Sequence, residues 1–283
     1  MPGTLHFETP TALQYFATLV ADDASLWPLE VAASVAQDAY PQLDVSAWLA
    51  RLDDLAAPLV ERAANVHRVE DQAALLGTYV YDELGFHGDE EHYYDARNSY
   101  LHAVIERRTG IPISLAVLLV SLGRRAGMTV EGVGFPGHFL VRLGGTDGLY
   151  LDPFFHARIL GRAALEDLAK RALGSADKLT REHLAPVSAR AVIARMLNNL
   201  KGIYEKQRDH ARALVVCDRL VDLIDQPELR RDRALHAIAL GAHAAAVDDL
   251  EHYLLLRKDA PDGPKVREAL EQARKAPRRG ALQ

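Results

Sequence analysis

The segment Leu115-Ala116-Val117-Leu118-Leu119-Val120-Ser121-Leu122 carries one polar residue in eight positions and no charge. Gly110-Ile111-Pro112-Ile113-Ser114 leads into it, and Gly123-Arg124-Arg125-Ala126-Gly127 follows with basic residues and a closing glycine, which predicts a helix over this stretch. A helix that is apolar all round has to be buried on every side, so the rest of the chain must wrap it. It is too short to span a bilayer, which takes about 20 apolar residues. The wrapping material is present: 283 residues, 49% of them hydrophobic, are enough for one large or two modest domains at roughly 100–200 residues each.

Ahead of the buried segment the chain reads as helices with polar breaks. Thr9-Pro10 looks like a cap followed by a first-turn proline, with Leu13, Phe16, Ala17 and Val20 at helical spacing. A second helix is expected from about Leu29 to Ala39, and a third after Asp44, with Val45, Trp48, Leu49, Leu52 and Leu55 on one face until Pro58 disturbs it. A fourth would run with Ala74, Leu75, Val80 and Leu84 along its apolar stripe. The segment Tyr93-Tyr94-Asp95-Ala96-Arg97-Asn98-Ser99-Tyr100 has two readings. Asn98 or Ser99 caps the next helix while Asp95 pairs with Arg97, or Tyr94, Arg97 and Asn98 wall a binding pocket.

Behind the buried segment the period shortens to that of strands, over Val130–Phe135, His138–Leu143 and Leu149–Phe154, with Gly144-Gly145-Thr146-Asp147-Gly148 as a turn. The chain then returns to helix after Leu160. Aligning Ala213 with Ala246 gives an offset of 33 residues, close to the tetratricopeptide period of about 34. The expected class is α+β with a C-terminal all-α tetratricopeptide-like region: a core with N-terminal helices over 1–185, repeats over 186–276 and a flexible tail over 277–283.

Chemistry concentrates in the meander. If the glycine-rich turn pairs Leu143 with Leu149, then His138 and Asp152 become diagonal neighbours on one face, within reach of each other. A carboxylate on one ring nitrogen orients an imidazole and raises its basicity, as in catalytic triads. The start of the buried helix, where a nucleophile and oxyanion donors could sit, offers Ser114 as its one nucleophilic side chain. The single cysteine, Cys217, lies at an apolar repeat position, where a buried inert thiol is expected. One cysteine also excludes an intramolecular disulfide and a Cys-x-x-Cys redox pair. His87, His92, His102, His138 and His156 follow no metal-ligand spacing, so no metal or cofactor is expected. A net charge of −6 argues against nucleic acid, and Met1–Glu8 lacks the basic start and apolar run of a signal peptide, so a cytoplasmic protein is expected.

Tyr93–Leu101, Arg107–Leu115 and Glu131-Gly132-Val133-Gly134-Phe135-Pro136-Gly137-His138-Phe139-Leu140-Val141-Arg142 strongly resemble the bacterial SirB family. The resemblance covers about Leu29 to Pro261. It implies a transglutaminase-like, papain-like α+β core followed by tetratricopeptide repeats. Enzymes of the transglutaminase-like type use a Cys-His-Asp triad, and His138 and Asp152 match its His and Asp. Counting without gaps between Gly110 and Gly127 puts Pro112 where the cysteine would lie. The missing cysteine and the repeat region together lead to the expectation of a cytoplasmic protein-interaction or regulatory module, with a protein or peptide partner, on a scaffold lacking its thiol. The competing readings are a serine-dependent hydrolase or acyltransferase using Ser114, His138 and Asp152, and noncovalent peptide or small-molecule binding in the same cleft.

Overall fold

The structure, a computed structural model, describes residues 11–24, 26–175 and 178–276. The expected Thr9-Pro10 cap and the tail over 277–283 lie outside these residues. By its internal contacts the chain divides into two compact units, Asp22–Met196 and Met1–Ala21 with Leu197–Gln283. The division therefore falls after residue 196, where the sequence reading places it after 185, and the N-terminal helix counts with the C-terminal helices.

In the first unit, α2 (Pro28–Gln37) and α3 (Val45–Ala63) come first. Asp44 caps α3 by accepting the Ala47 N–H at 2.9 Å. Pro58 does not end it. A proline inside a helix forfeits one backbone hydrogen bond, but Leu59 and Ala63 continue the buried face of Leu52 and Ala56, and that burial carries the helix through. α4 (Val69–Gly77) runs into a π-helical turn over Thr78–Glu83. Its inward face holds Ala73, Leu76, Tyr79 and Val80, while Ala74 is exposed. Of the expected stripe, Val80 is buried and Leu75 and Leu84 are half-buried, and Ala74 gives its place to Ala73. α5 (Leu101–Arg107) follows, and a two-residue parallel pairing of β1 (His87–Gly88) with β2 (Thr109–Gly110) ties the preceding loop to the chain entering α6.

α6 (Pro112–Arg125) is the predicted buried helix, with Ile113 to Leu119 all buried. Gly123 lets it approach the sheet, because a Cβ there would lie 2.7 Å from Val130 Cγ2. The sheet is an antiparallel meander of β3 (Val130–Val133), β4 (Leu140–Leu143), β5 (Leu149–Asp152) and β6 (Arg158–Leu160). Leu143 pairs with Leu149 and Val141 with Leu151, the register expected from the turn. Leu140 packs with Leu165 and Ala169 of α7 (Arg162–Leu173) on one face. Val141, Leu143 and Leu151 point the other way and are also fully buried, so both faces are covered.

The second unit holds α1 (Ala12–Leu19), the later part of α8 (Ala189–Gln207), α9 (His210–Ile224), α10 (Pro227–Ala239), α11 (His243–Leu256) and α12 (Gly263–Lys275). α9 and α11 start 33 residues apart, as the repeat predicts. The aligned pairs Ala213 and Ala246, Cys217 and Leu250, and Leu220 and Tyr253 are all buried. Thr11 caps α1 in a reciprocal box with Gln14. Phe16 of α1 is fully buried under the Arg219 guanidinium of α9, 4.7 Å from its ring centroid.

His102 of α5 is 5% exposed, and its ring meets Tyr40 edge-on at 4.2 Å. Among the described residues neither ring nitrogen has a hydrogen-bond partner, and burial lowers its pKa from the usual 6.5. The unfolded chain therefore binds this proton first on acidification, so stability is present above pH 6.5 and declines as pH falls below it. Urea denaturation should show the core unit less stable at pH 5 than at pH 7, and His102→Phe should reduce that difference. Equal pH sensitivity in the variant would count against it.

Candidate functional site

The glycine-rich turn sets the site by fixing how β4 meets β5. A Cβ on Gly148 would lie 2.0 Å from Leu143 O, so the hairpin closes only with glycine there. This register brings Asp152, at the end of β5, beside His138 in the turn before β4. His138 Nε2 lies 2.9 Å from Asp152 Oδ1. The carboxylate accepts only, so the neutral imidazole carries its proton on Nε2 and leaves Nδ1 for another group. The Asp152 side chain is 1% exposed and that of His138 14%. Phe154 N–H donates to the same Oδ1 at 3.1 Å, and Arg158 Nη2 lies 3.9 Å from Oδ2. Tyr81 braces the turn by donating its hydroxyl to Pro153 O. Burial and the Asp152 charge push the Tyr81 phenol pKa up, so it stays a donor.

Ser114 is not part of this pair. It is fully buried, its Oγ accepts the Ile111 N–H at 3.0 Å and donates to Ile111 O at 3.1 Å. Among the described residues it shares no hydrogen bond with His138. Its hydroxyl closes the first turn of α6 instead, and Gly110 is packed against it, since a Cβ there would lie 2.7 Å from Ser114 Oγ. Pro112, at the first position of the helix, is buried as well. Cys217 lies in α9, fully buried, with its thiol pKa pushed up to about 12 by that burial.

The three residues expected to wall a pocket separate. Asn98 is fully buried: its Nδ2 donates to Asp89 Oδ2 and to His92 O, and its Oδ1 accepts from Arg107 Nη1, each at 2.9 Å. Arg97 is exposed and folded onto Asp95, to which its Nε donates at 2.9 Å. Asp95 also caps the turn by accepting the Arg97 N–H, while Tyr100, not Asn98 or Ser99, stands at the start of α5 without a side-chain cap. Tyr94 faces outward, 63% exposed and with no part in the Asn98 network.

Tyr94 belongs to a feature that the sequence does not announce. Tyr94, Tyr93, Phe154 and Phe155 stand edge to face in succession, with centroids 5.3, 5.9 and 5.2 Å apart, and Arg158 lies over Phe155 at 5.6 Å. The row starts from the turn that holds Asp152. Gly88 makes room for it, because a Cβ there would meet the Phe154 ring at 2.6 Å. His156 and Ala157 then take left-handed backbone, with φ of 52° and 49°, a strained turn that returns the chain to β6. The two doubled aromatics, Tyr93-Tyr94 and Phe154-Phe155, were the available signal.

The transglutaminase-like superfamily matches residues 46–198, and the tetratricopeptide repeat matches residues 200–274. A UPF0162 protein of Xylella fastidiosa strain Temecula1 is 38% identical over 240 residues, covering 83% of this chain and 85% of the relative. The chain belongs to the UPF0162 family. A UPF0162 protein of Vibrio cholerae is 34% identical over 197 residues, 68% of this chain and 72% of that one. F-box only protein 21 of Mus musculus is 34% identical over 151 residues, half of this chain but 24% of its own length. No solved structure matches. The order of parts in this UPF0162 chain is the one the SirB resemblance implies, a transglutaminase-like domain and then tetratricopeptide repeats. Such a combination fits a protein-interaction module. No described helix is long and apolar enough to cross a membrane, and no described group of three or more His, Cys, Asp or Glu could hold a metal ion.

Proposed function

We propose that the protein is a cytoplasmic interaction or regulatory module whose transglutaminase-like cleft binds a protein or peptide partner without cleaving or acylating it. The observation that carries this reading is the state of the α6 start. Pro112 has no nucleophile, and the Ser114 hydroxyl spends its donor and an acceptor on Ile111 inside a sealed turn. Activation of a serine needs a base within hydrogen-bond reach, and His138 instead faces Asp152. The aromatic row beside that pair supports partner binding, since exposed tyrosine and phenylalanine offer large contact area at low entropic cost. The repeats add a second partner surface, as stacked helical pairs commonly do.

A serine-directed fluorophosphonate and a thiol-directed iodoacetamide probe, each applied to folded protein, are expected to leave Ser114 and Cys217 unlabelled. Fluorophosphonate labelling that disappears in both Ser114→Ala and His138→Ala would overturn the reading in favour of the serine hydrolase. On the binding side, a partner recovered with the wild type should be lost with Tyr94→Ser or Phe155→Ser at unchanged melting temperature.

A further inference from the structure

A cavity of about 620 Å³ opens in the core unit along the later turns of α6, and neither His138 nor Ser114 lines it. Small-molecule sites typically enclose about 300–1,000 Å³. Ala116, Val117 and Val120 of α6, Leu29 of α2, Phe139 and Val192 of α8 form its apolar walls. The one hydroxyl among the lining side chains, Ser121 Oγ, is taken by Arg125 Nη1 at 2.7 Å. Trp27, 43% exposed, stands among the lining residues.

The charges at its edge are unequal. Arg125 is neutralised by Asp53, whose Oδ1 accepts from Arg125 Nε at 2.7 Å. Arg124 commits only its Nε, to Val130 O at 2.8 Å. Among the described residues its two terminal amino groups have no hydrogen bond or ion pair, and the side chain is on the exposed side of α6. An apolar hollow bordered by one uncompensated guanidinium calls for a ligand of matching polarity. The free arms of a guanidinium present a planar fork suited to a carboxylate, and the walls suit a hydrocarbon.

We propose that this cavity binds a single-chain carboxylate amphiphile, its alkyl chain along α6 and its carboxylate on Arg124. The test is a titration of the full chain with decanoate and with decanol, both below the concentration at which decanoate forms micelles, followed by tryptophan fluorescence because Trp27 borders the cavity. Saturable binding is expected, with decanoate about tenfold tighter than decanol, the margin of a charge-assisted contact. Arg124→Gln should bring decanoate to the decanol level and leave decanol unchanged. Val120→Phe and Ala189→Leu fill the cavity from two walls, and each should weaken both ligands about tenfold; either suffices if the other fails to fold. Absence of saturable binding, equal affinity for the acid and the alcohol, or indifference to Arg124→Gln or to the fillers would overturn the proposal.

Discussion

Asn98→Ala is expected to cost the core unit about 2–3 kcal/mol, the range for removing a neutral hydrogen-bond partner from buried charged groups. Asn98 is fully buried and uses both ends of its amide on Asp89, His92 O and Arg107. Alanine would leave a carboxylate with an 8% exposed side chain facing a void, with Arg107 Nη2 at 3.6 Å as its remaining cation of note. Burial works to raise the Asp89 pKa, but the Asn98 hydrogen bond, the His92 N–H and the charges of His92 and Arg107 outweigh it and hold the group below the usual 3.8. A depressed carboxylate contributes stability that is full above its unfolded value and is lost as pH falls through the folded one. Without Asn98 the strongest of the lowering influences is gone, so acid unfolding should begin at higher pH. Urea denaturation at pH 7 should show a lower midpoint at unchanged slope. A variant within about 1 kcal/mol of wild type would mean that the network is dispensable.

Arg233→Ala should have a larger effect in the helical unit. Arg233 of α10 grips Asp249 of α11 with two bonds, Nε to Oδ2 at 2.7 Å and Nη2 to Oδ1 at 2.8 Å, and reaches Asp218 of α9 with Nη1 at 3.1 Å. The Asp249 side chain is 6% exposed, so losing the fork strands a buried carboxylate at a cost of about 3–5 kcal/mol. Arg230 Nη1, 3.5 Å from Asp249 Oδ1, is too distant to replace it. Lysine lacks the planar fork, so Arg233→Lys should recover only part of the loss. The double variant Arg233→Met with Asp249→Leu removes both charges together and should recover more than either single change. Amide exchange across α9 to α11 provides the readout, and a single variant that left protection unchanged there would refute the assignment.

What could be read in the sequence followed from periodicity. The apolar run reads as α6, and the alternation around Gly144–Gly148 places His138 near Asp152 once the turn pairs Leu143 with Leu149, the register the structure has. The 33-residue spacing of Ala213 and Ala246 survived into matching buried positions. Features made by distant short pieces were not legible. β1 and β2 are two residues each, and the aromatic row joins two pairs of rings 61 residues apart in the chain. Asn98 read as a cap or a pocket-wall residue because nothing in a polar segment marks which amide turns inward. Phe16 showed that α1 has a buried face, but an apolar stripe does not name its partner, here Arg219 of α9.

The start of α6 has a consequence for what sequence change can do. Gly110 leaves no room for a Cβ, Pro112 is buried at the first helical position, and Ser114 bridges back to Ile111. These three fit one another rather than a substrate. A thiol introduced at 112 alone would arrive in a closed wall, and freeing Ser114 would strip the turn of its clasp. Placing a nucleophile there would require coordinated changes at several positions, each harmful when made first. The junction therefore works as a lock of several parts, which no single substitution opens.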